Sequence, residues 1–101
     1  MGASHASGDP ISPESVRAAR AAGTGVVKHT PVTESAALSD MCGGTVVLKA
    51  ENLQRTGAFK FRGAFNALAR FDAGQRKRGA VAFSGGNHAL GMALAGQMLG
   101  I

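Results

Sequence analysis

The stretch Glu51–Ala64, "ENLQRTGAFKFRGA", contains the most unusual residue placement in this 101-residue sequence. Lys60 follows a Thr-Gly-Ala turn and stands between Phe59 and Phe61. Enclosing an ammonium group in aromatic side chains is costly because the group loses its hydration. Apolar residues spaced three and four apart predict a helix over residues 59–71. Lys60 is therefore expected at the start of a helix.

This position suggests a chemical role for Lys60. The positive end of a helix dipole disfavours a cation, and desolvation favours the neutral amine. A neutral amine is what a lysine needs in order to form a Schiff base. The alternative interpretation is that the side chain extends past its phenylalanine neighbours into water, which is the ordinary arrangement for an isolated Phe-Lys-Phe triplet.

A second stretch, "SGGNHA" at residues 84–89, lies between a predicted strand, Gly79–Phe83, and a predicted helix, Asn87–Leu99. In α/β folds such junctions bind anions, because free backbone amides and the helix dipole point at the ligand. The alternative is an ordinary turn with Asn87 as the helix cap. The candidate binding residues are Ser84, Gly85, Gly86, Asn87 and His88.

The remaining elements indicate the fold class. We predict a helix from Ser12-Pro13 through Ala22, a short helix over residues 33–41, and a strand at Thr45–Ala50 with at least one buried face. Strands alternating with helices predict an α/β fold of parallel βαβ units. Residues 1–10 are expected to be a mobile tail, and residues 11–101 the N-terminal portion of a larger fold that is incomplete at its C-terminus.

Taken together, the two stretches resemble the paired signatures of the threonine/serine dehydratase and serine racemase group of fold-type II pyridoxal-phosphate enzymes. The resemblance also covers "HTPV" at residues 29–32 and "VVLKAENLQ" at residues 46–54. It implies pyridoxal 5'-phosphate as cofactor, held by Lys60 as a Schiff base, with Lys60 later removing the α-proton. It also implies that Phe59 packs on the pyridine ring and Asn87 bonds the ring hydroxyl. Ser84, Gly85, Gly86 and His88 would surround the substrate carboxylate.

The resemblance further implies a small-molecule substrate, threonine or serine, converted to a 2-keto acid and ammonia. Gly85 stands where serine racemases carry a proton-donating serine, which favours dehydration over racemisation. The alternatives are a racemase-like enzyme, another hydroxyamino-acid dehydratase, and an inactive truncated family member. Family members also carry a glycine-rich phosphate loop and a partner for the pyridine nitrogen in later segments. We therefore expect the 101 residues alone to catalyse poorly and to aggregate or be partly disordered, and the full-length protein to be a homo-oligomer.

Composition and charge exclude several classes of partner and location for this protein. The net charge is +5, but the basic residues are scattered, and the run Arg76-Lys77-Arg78 is interpreted as a solvated turn, so no nucleic-acid partner is expected. The single cysteine, Cys42, excludes an internal disulfide and favours a reducing compartment. No secretory signal or membrane-spanning run is visible. We predict a cytoplasmic protein with no metal site and no membrane partner.

Overall fold

The computed structural model describes residues 11–101, so the predicted tail at residues 1–10 lies outside the described part. The first helix, α1, spans Pro13–Ala22, as predicted. Ser12 Oγ accepts from the Ser15 amide at 3.1 Å and Ser15 Oγ accepts from the Ser12 amide at 2.9 Å, which fixes the start of the helix. Gly23 follows α1 because a Cβ there would lie 2.8 Å from Val27 Cγ2.

A small antiparallel sheet comes next. Strand β1, Val32–Glu34, pairs with strand β2, Val47–Lys49, with Thr33 opposite Leu48. Helix α2, Ala36–Cys42, connects the two strands. The helix predicted over residues 33–41 therefore begins later than expected, because its first residues pair with β2. The predicted strand at residues 45–50 exists in shortened form, but the expectation of a buried face is wrong: its residues are exposed.

Two single-turn 3-10 helices, Glu51–Leu53 and Arg55–Gly57, connect β2 to helix α3, Lys60–Ala69. The predicted apolar face of α3 is confirmed, since its buried residues are Phe61, Ala64, Phe65 and Leu68. The rings of Phe61 and Phe65 lie 5.8 Å apart, centroid to centroid. This face packs against Ala95 and forms the main core of the described chain.

Helix α4, Ala73–Arg78, was not predicted, and the interpretation of residues 76–78 as a turn is wrong. Asp72 and Gln75 form a reciprocal capping box at its start. Arg76 is half-buried and donates to the carbonyl oxygens of Phe71 at 3.1 Å, Leu99 at 3.2 Å and Ala69 at 3.3 Å. One guanidinium group therefore joins the C-terminal ends of two longer helices.

The prediction of a strand at Gly79–Phe83 is also wrong. The segment is extended, but within residues 11–101 no neighbouring strand pairs with it. Val81 and Phe83 are 99% and 102% exposed. A strand, whether parallel or antiparallel, exists only when it forms a ladder of hydrogen bonds with a partner strand. The predicted parallel βαβ units are accordingly not formed in the described residues, whose sheet is antiparallel.

The last helix, α5, spans Asn87–Leu99, as predicted. Among residues 11–101, the contact between α5 and α3 is more extensive than the contact between any other two elements. The buried residues of α5 are small: Gly91, Ala95 and Gly96. Small residues let the two helix backbones approach closely. None of the helices in residues 11–101 is long and apolar enough to cross a membrane.

Candidate active site

Lys60 occupies the first position of α3, where the sequence placed it. Its Nζ lies 5.5 Å from the centroid of the Phe59 ring, within the range of a cation–π contact. Phe61, on the other side, points into the core and is fully buried. The expectation that aromatic side chains enclose and desolvate Lys60 is therefore wrong, since Lys60 is exposed and Phe59 is 60% exposed. The amine is accessible to a ligand.

The asparagine loop, residues 84–89, forms the start of α5. Ser84 Oγ accepts from the amides of Gly86 at 3.1 Å and Ala89 at 3.2 Å, so Ser84 caps this helix. Asn87 is the first helical residue and exposed, which makes the interpretation of Asn87 as the cap wrong. A Cβ added at Gly85 or Gly86 would meet no atom within 4 Å, so open space lies beside the loop.

The two helix starts are brought together by a residue that sequence reasoning missed. A Cβ at Gly91 would lie 3.2 Å from the Phe61 nitrogen and 3.3 Å from the Lys60 carbonyl oxygen. The backbone of α5 therefore contacts the first turn of α3 directly. Asn87 lies four residues before Gly91, on the same face of α5 and one turn nearer its start. A glycine inside a predicted helix was the available signal for this close approach.

A second missed feature is the polar network centred on Glu51. Arg62 donates Nε to Glu51 Oε1 at 2.5 Å and Nη2 to Glu51 Oε2 at 3.0 Å, and Thr30 donates its hydroxyl to Oε2. The hydrogen bond from Arg62 lowers the pKa of Glu51 from 4.5 to about 2, with Thr30 and Gln54 adding to the effect against the opposing effect of burial. The same pair raises the pKa of Arg62. The carboxylate is held ionised.

The neighbouring side chains fasten residues 26–30 to the segment that precedes α3. Gln54 is 3% exposed; its Oε1 accepts from the Lys28 amide at 3.0 Å and its Nε2 donates to the Lys28 carbonyl oxygen at 2.9 Å. Arg55 Nε donates to the Val26 carbonyl oxygen at 2.6 Å, and Lys49 Nζ to that of Thr30 at 2.7 Å. In the sequence, this network was indicated by the charged and amide residues that accompany Lys60 in its motif.

The turn before Lys60 is strained. Thr56 has φ 61°, a left-handed conformation that is costly for a β-branched residue. Its hydroxyl oxygen is buried without a hydrogen-bond partner in the described chain. Gly57 follows with φ 78°, and its amide donates to the Gln54 carbonyl oxygen at 2.8 Å. The tight turn places the chain for α3 to begin three residues later.

Two concavities lie near these groups. One, of about 800 Å³, is bounded by α1, the residues after it, and the first half of α3; its lining includes Phe59, Glu51 and Arg62 but not Lys60. The other, of about 390 Å³, lies between the extended segment and α5 and is lined by Ala80, Ala82 and Ala89, among others. Among residues 11–101, no group of three or more histidine, cysteine or acidic side chains could hold a metal ion.

This arrangement suits an aldehyde cofactor that carries an aromatic ring. An accessible primary amine lies beside an exposed phenylalanine ring, and α5, whose start has open space at two glycines, contacts the same turn through Gly91. Lys60 could bind the aldehyde, Phe59 could cover a ring face, and Asn87 could meet a polar ring substituent. The site thus offers the groups that a Schiff-base cofactor requires, an accessible amine beside an aromatic ring, together with a helix start whose dipole favours an anion.

Comparison with known proteins identifies the family. Residues 23–101 match the family described as "Pyridoxal-phosphate dependent enzyme". The chain is 61% identical over 75 residues to L-threo-3-hydroxyaspartate ammonia-lyase from a Pseudomonas species, covering 74% of this chain and 24% of that protein. It is 48% identical over 91 residues to L-threonine ammonia-lyase from Thermotoga maritima, covering 90% and 23%. The solved structure of maize serine racemase matches with a TM-score of 0.83 at 39% identity, covering 92% and 29%.

The chain belongs to the pyridoxal-phosphate dependent enzyme family, and pyridoxal phosphate is the cofactor of that family. The resemblance inferred from the two motifs is therefore confirmed, and the structural likeness supports the fold-type II assignment. The chain spans about a quarter of the length of these curated relatives.

Proposed function

We propose that this chain supplies the lysine-bearing part of an ammonia-lyase that acts on a β-hydroxy-α-amino acid, threonine or serine. One observation carries the proposal: the accessible amine of Lys60 stands at a helix start in backbone contact with α5, near the start that bears Asn87. The reaction releases the β-hydroxyl as water, and addition of water to the resulting enamine then gives a 2-keto acid and ammonia.

Each residue has a defined task in this proposal. Bound pyridoxal phosphate supplies the electron sink for breaking the Cα–H bond. Lys60 holds the cofactor aldehyde covalently and, once released, accepts the α-proton. Phe59 covers one face of the ring and Asn87 donates to its hydroxyl. The substrate carboxylate lies at the start of α5, near Ser84, Gly85, Gly86 and His88, where the helix dipole favours an anion.

Two observations bear on the choice of substrate and reaction. The 61% identity to a 3-hydroxyaspartate ammonia-lyase favours L-threo-3-hydroxyaspartate as a second candidate substrate. Gly85 has no side chain to protonate the opposite face of the substrate, which supports elimination over racemisation. Rapid D-serine formation from L-serine, at a rate comparable to pyruvate release, would contradict this choice.

We also propose that residues 11–101 form the N-terminal portion of a larger catalytic fold. The fully exposed Val81 and Phe83 support this, because apolar side chains on an extended segment gain stability only when they are covered. Joining residues 1–101 to the remaining three quarters of the Thermotoga maritima enzyme should then restore a covered sheet. The 101-residue chain by itself should give no measurable keto acid.

The chimera tests the proposed activity directly. Keto-acid release would be measured with threonine, serine and L-threo-3-hydroxyaspartate, alongside the Lys60→Ala chimera. Borohydride reduction and peptide mapping would locate the pyridoxyl group, which we expect on Lys60. Labelling of Lys49 or Lys28 instead, or equal activity in the Lys60→Ala chimera, would refute the assignment. A folded chimera that binds cofactor without turnover would favour an inactive family member.

A further inference from the structure

The ion pair between Glu51 and Arg62 connects Lys60 to the rest of the fold. Arg62 lies in the first turn of α3, two residues after Lys60, and its amide donates to the Phe59 carbonyl oxygen at 3.0 Å. Its guanidinium group contacts both carboxylate oxygens of Glu51, a fork geometry that fixes orientation as well as distance. The two bonds therefore oppose rotation of the first turn of α3.

Glu51 is itself held in place. It begins the 3-10 turn directly after β2, and its side chain is 17% exposed. The hydroxyl of Thr30, a buried residue, donates to the same oxygen that receives Nη2 of Arg62. One carboxylate thus joins three segments: the end of β2, the residues before β1, and the lysine helix.

The charges also favour this arrangement. The first turn of α3 carries two cationic residues, Lys60 and Arg62, at the positive end of the helix dipole. That turn has no acidic residue and no side-chain cap. Glu51 supplies from another segment the negative charge that the first turn lacks. The backbone of Gly91 also contacts Lys60, so the turn is held at two places, by α5 and by Glu51.

We propose that Glu51 is a positioning residue that acts through Arg62 to fix the first turn of α3 and so aim the Lys60 amine at the cofactor aldehyde. The inference rests on the proposed function for the role of Lys60. It adds that the orientation of Lys60 depends on a bidentate pair rather than on packing alone. Glu51 touches neither the cofactor nor the substrate in this proposal.

The first experiment uses the chimera of residues 1–101 with the remainder of the Thermotoga maritima enzyme, without cofactor. Amide hydrogen exchange at Arg62 and Ala64 would be compared between the parent chimera and its Glu51→Gln and Leu68→Ala variants. Leu68→Ala is the matched control, because it removes a buried side chain of α3 two turns from Lys60. We expect exchange in the first turn to rise about tenfold in Glu51→Gln. Leu68→Ala, which removes a buried side chain from the last turn of α3, should not raise the ratio of first-turn to last-turn exchange. An equal ratio in both variants would overturn the proposal.

The second experiment measures how well the Lys60 amine is directed at the cofactor aldehyde. The parent chimera would be reduced with borohydride in dilute pyridoxal phosphate, and labelling of Lys60 would be divided by labelling of Lys77, an exposed lysine on α4. We expect Glu51→Gln to lower this ratio about tenfold and Thr30→Val about threefold, since misplaced reacting groups lose rate steeply. The charge swap Glu51→Arg with Arg62→Glu should recover at least half of the loss. Leu68→Ala should change the ratio less than twofold.

The outcomes separate the two proposals. If the parent chimera labels Lys60 no faster than Lys77, the proposed function fails, and hydrogen exchange alone decides whether Glu51 fixes the turn. If Lys60 is labelled selectively and Glu51→Gln leaves the ratio unchanged, the positioning proposal fails while the proposed function stands. If Glu51→Gln does not fold, Thr30→Val, which removes a single hydrogen bond, provides the decisive ratio.

Discussion

The lysine segment, residues 51–64, and the segment that leads into the asparagine loop, residues 79–86, each contribute to a sequence motif but differ in how they are held. Three residues of the first segment, Glu51, Gln54 and Arg55, bond to backbone or side chains of residues 26–30. In the second, Ser84 supplies the side-chain bonds that the structure shows, both to amides within its own loop. Val81 and Phe83 are fully exposed.

The comparison shows that one functional motif can be held by hydrogen bonds from its own side chains, whereas another depends on strands outside the described residues to cover it. The lysine segment places polar side chains against backbone groups of a neighbouring segment, so its geometry is set within the described chain. The second segment presents an extended backbone and bare apolar side chains, which other strands would have to cover. We therefore expect the lysine half of the site to be organised before the other half.

The sharpest test of this contrast uses two phenylalanines. Phe61 is 0% exposed and Phe83 is 102% exposed. Phe61→Ala should lower the free energy of unfolding by roughly 3–5 kcal/mol, because it removes a core side chain and leaves a cavity. Phe83→Ala should change it by less than about 0.5 kcal/mol, as surface substitutions usually do. Urea denaturation of both variants measures the difference. Similar losses would show that the two segments are equally organised.

Acid should weaken the lysine segment selectively. The folded-state pKa of Glu51 lies at about 2, below its ordinary 4.5, so Glu51 binds a proton more weakly in the folded chain than in the unfolded one. Its stabilisation is therefore full above about pH 4.5 and is lost as the pH falls towards 2. At about 1.4 kcal/mol for each pH unit between 4.5 and 2, this stabilisation amounts to at most about 3.5 kcal/mol.

Denaturation midpoints between pH 6 and pH 2 would measure this loss. Glu51→Gln is the control, because it removes the titrating group and should flatten the decline over this range. Glu34→Gln, an exposed residue of β1, should leave the decline unchanged. A parent chain whose stability does not fall between pH 4.5 and pH 2 would contradict the assigned role of the carboxylate.

The sequence predicted the helices of this chain better than its strands, for a physical reason. Helices α1, α3 and α5 carry their signals locally: a serine cap, a three-four apolar spacing, and glycine ends. A strand depends on a partner strand, which the local sequence pattern does not identify. Gly79–Phe83 has a strand-like composition but no ladder partner among residues 11–101, and β1 was overlooked because it exists only by pairing with β2.

The sequence motifs predicted which residues of the candidate site lie at helix starts. They did not predict the tertiary contacts that join those residues. Lys60 and Asn87 could be placed at helix starts from local pattern alone. That Gly91 brings the two helices together, and that Glu51 meets Arg62 across eleven residues, depends on tertiary packing. The exposure of Lys60 also differed from expectation, because α3 turns Phe61 inward and leaves only Phe59 beside the amine.

Arg76 tests how firmly the two long helices are joined at the end opposite the site. Its guanidinium group donates to carbonyl oxygens at the C-terminal ends of α3 and α5. Arg76→Ala should lower the free energy of unfolding by about 1.5–3 kcal/mol, the range for hydrogen bonds that involve a charged group. Lys77→Ala, an exposed neighbour on α4, should change stability by less than about 0.5 kcal/mol. Thermal melts of both variants make the comparison, and equal midpoints would show that Arg76 is as dispensable as Lys77.

The smallest expected effect lies in the strained turn of the lysine segment, and here the change should stabilise. Thr56 combines φ 61° with a buried hydroxyl oxygen that has no partner in the described chain. Thr56→Gly removes both costs and should raise the free energy of unfolding by about 0.5–1 kcal/mol, the gain from relieved strain being reduced by the larger backbone entropy of glycine. Thr56→Val keeps the branched shape and the strain but removes the hydroxyl.

The two variants therefore separate the sources of cost. If the unpaired hydroxyl dominates, Thr56→Val should stabilise as much as Thr56→Gly, because a buried polar group without a partner is costly. If the backbone strain dominates, only Thr56→Gly should stabilise. The ratio of Lys60 to Lys77 labelling, measured in the same variants, then shows what the strain does. A stabilised Thr56→Gly chain with a lower ratio means that the strained turn helps to aim Lys60. A stabilised chain with an unchanged ratio means that Glu51 and Arg62 suffice to hold the lysine helix in place.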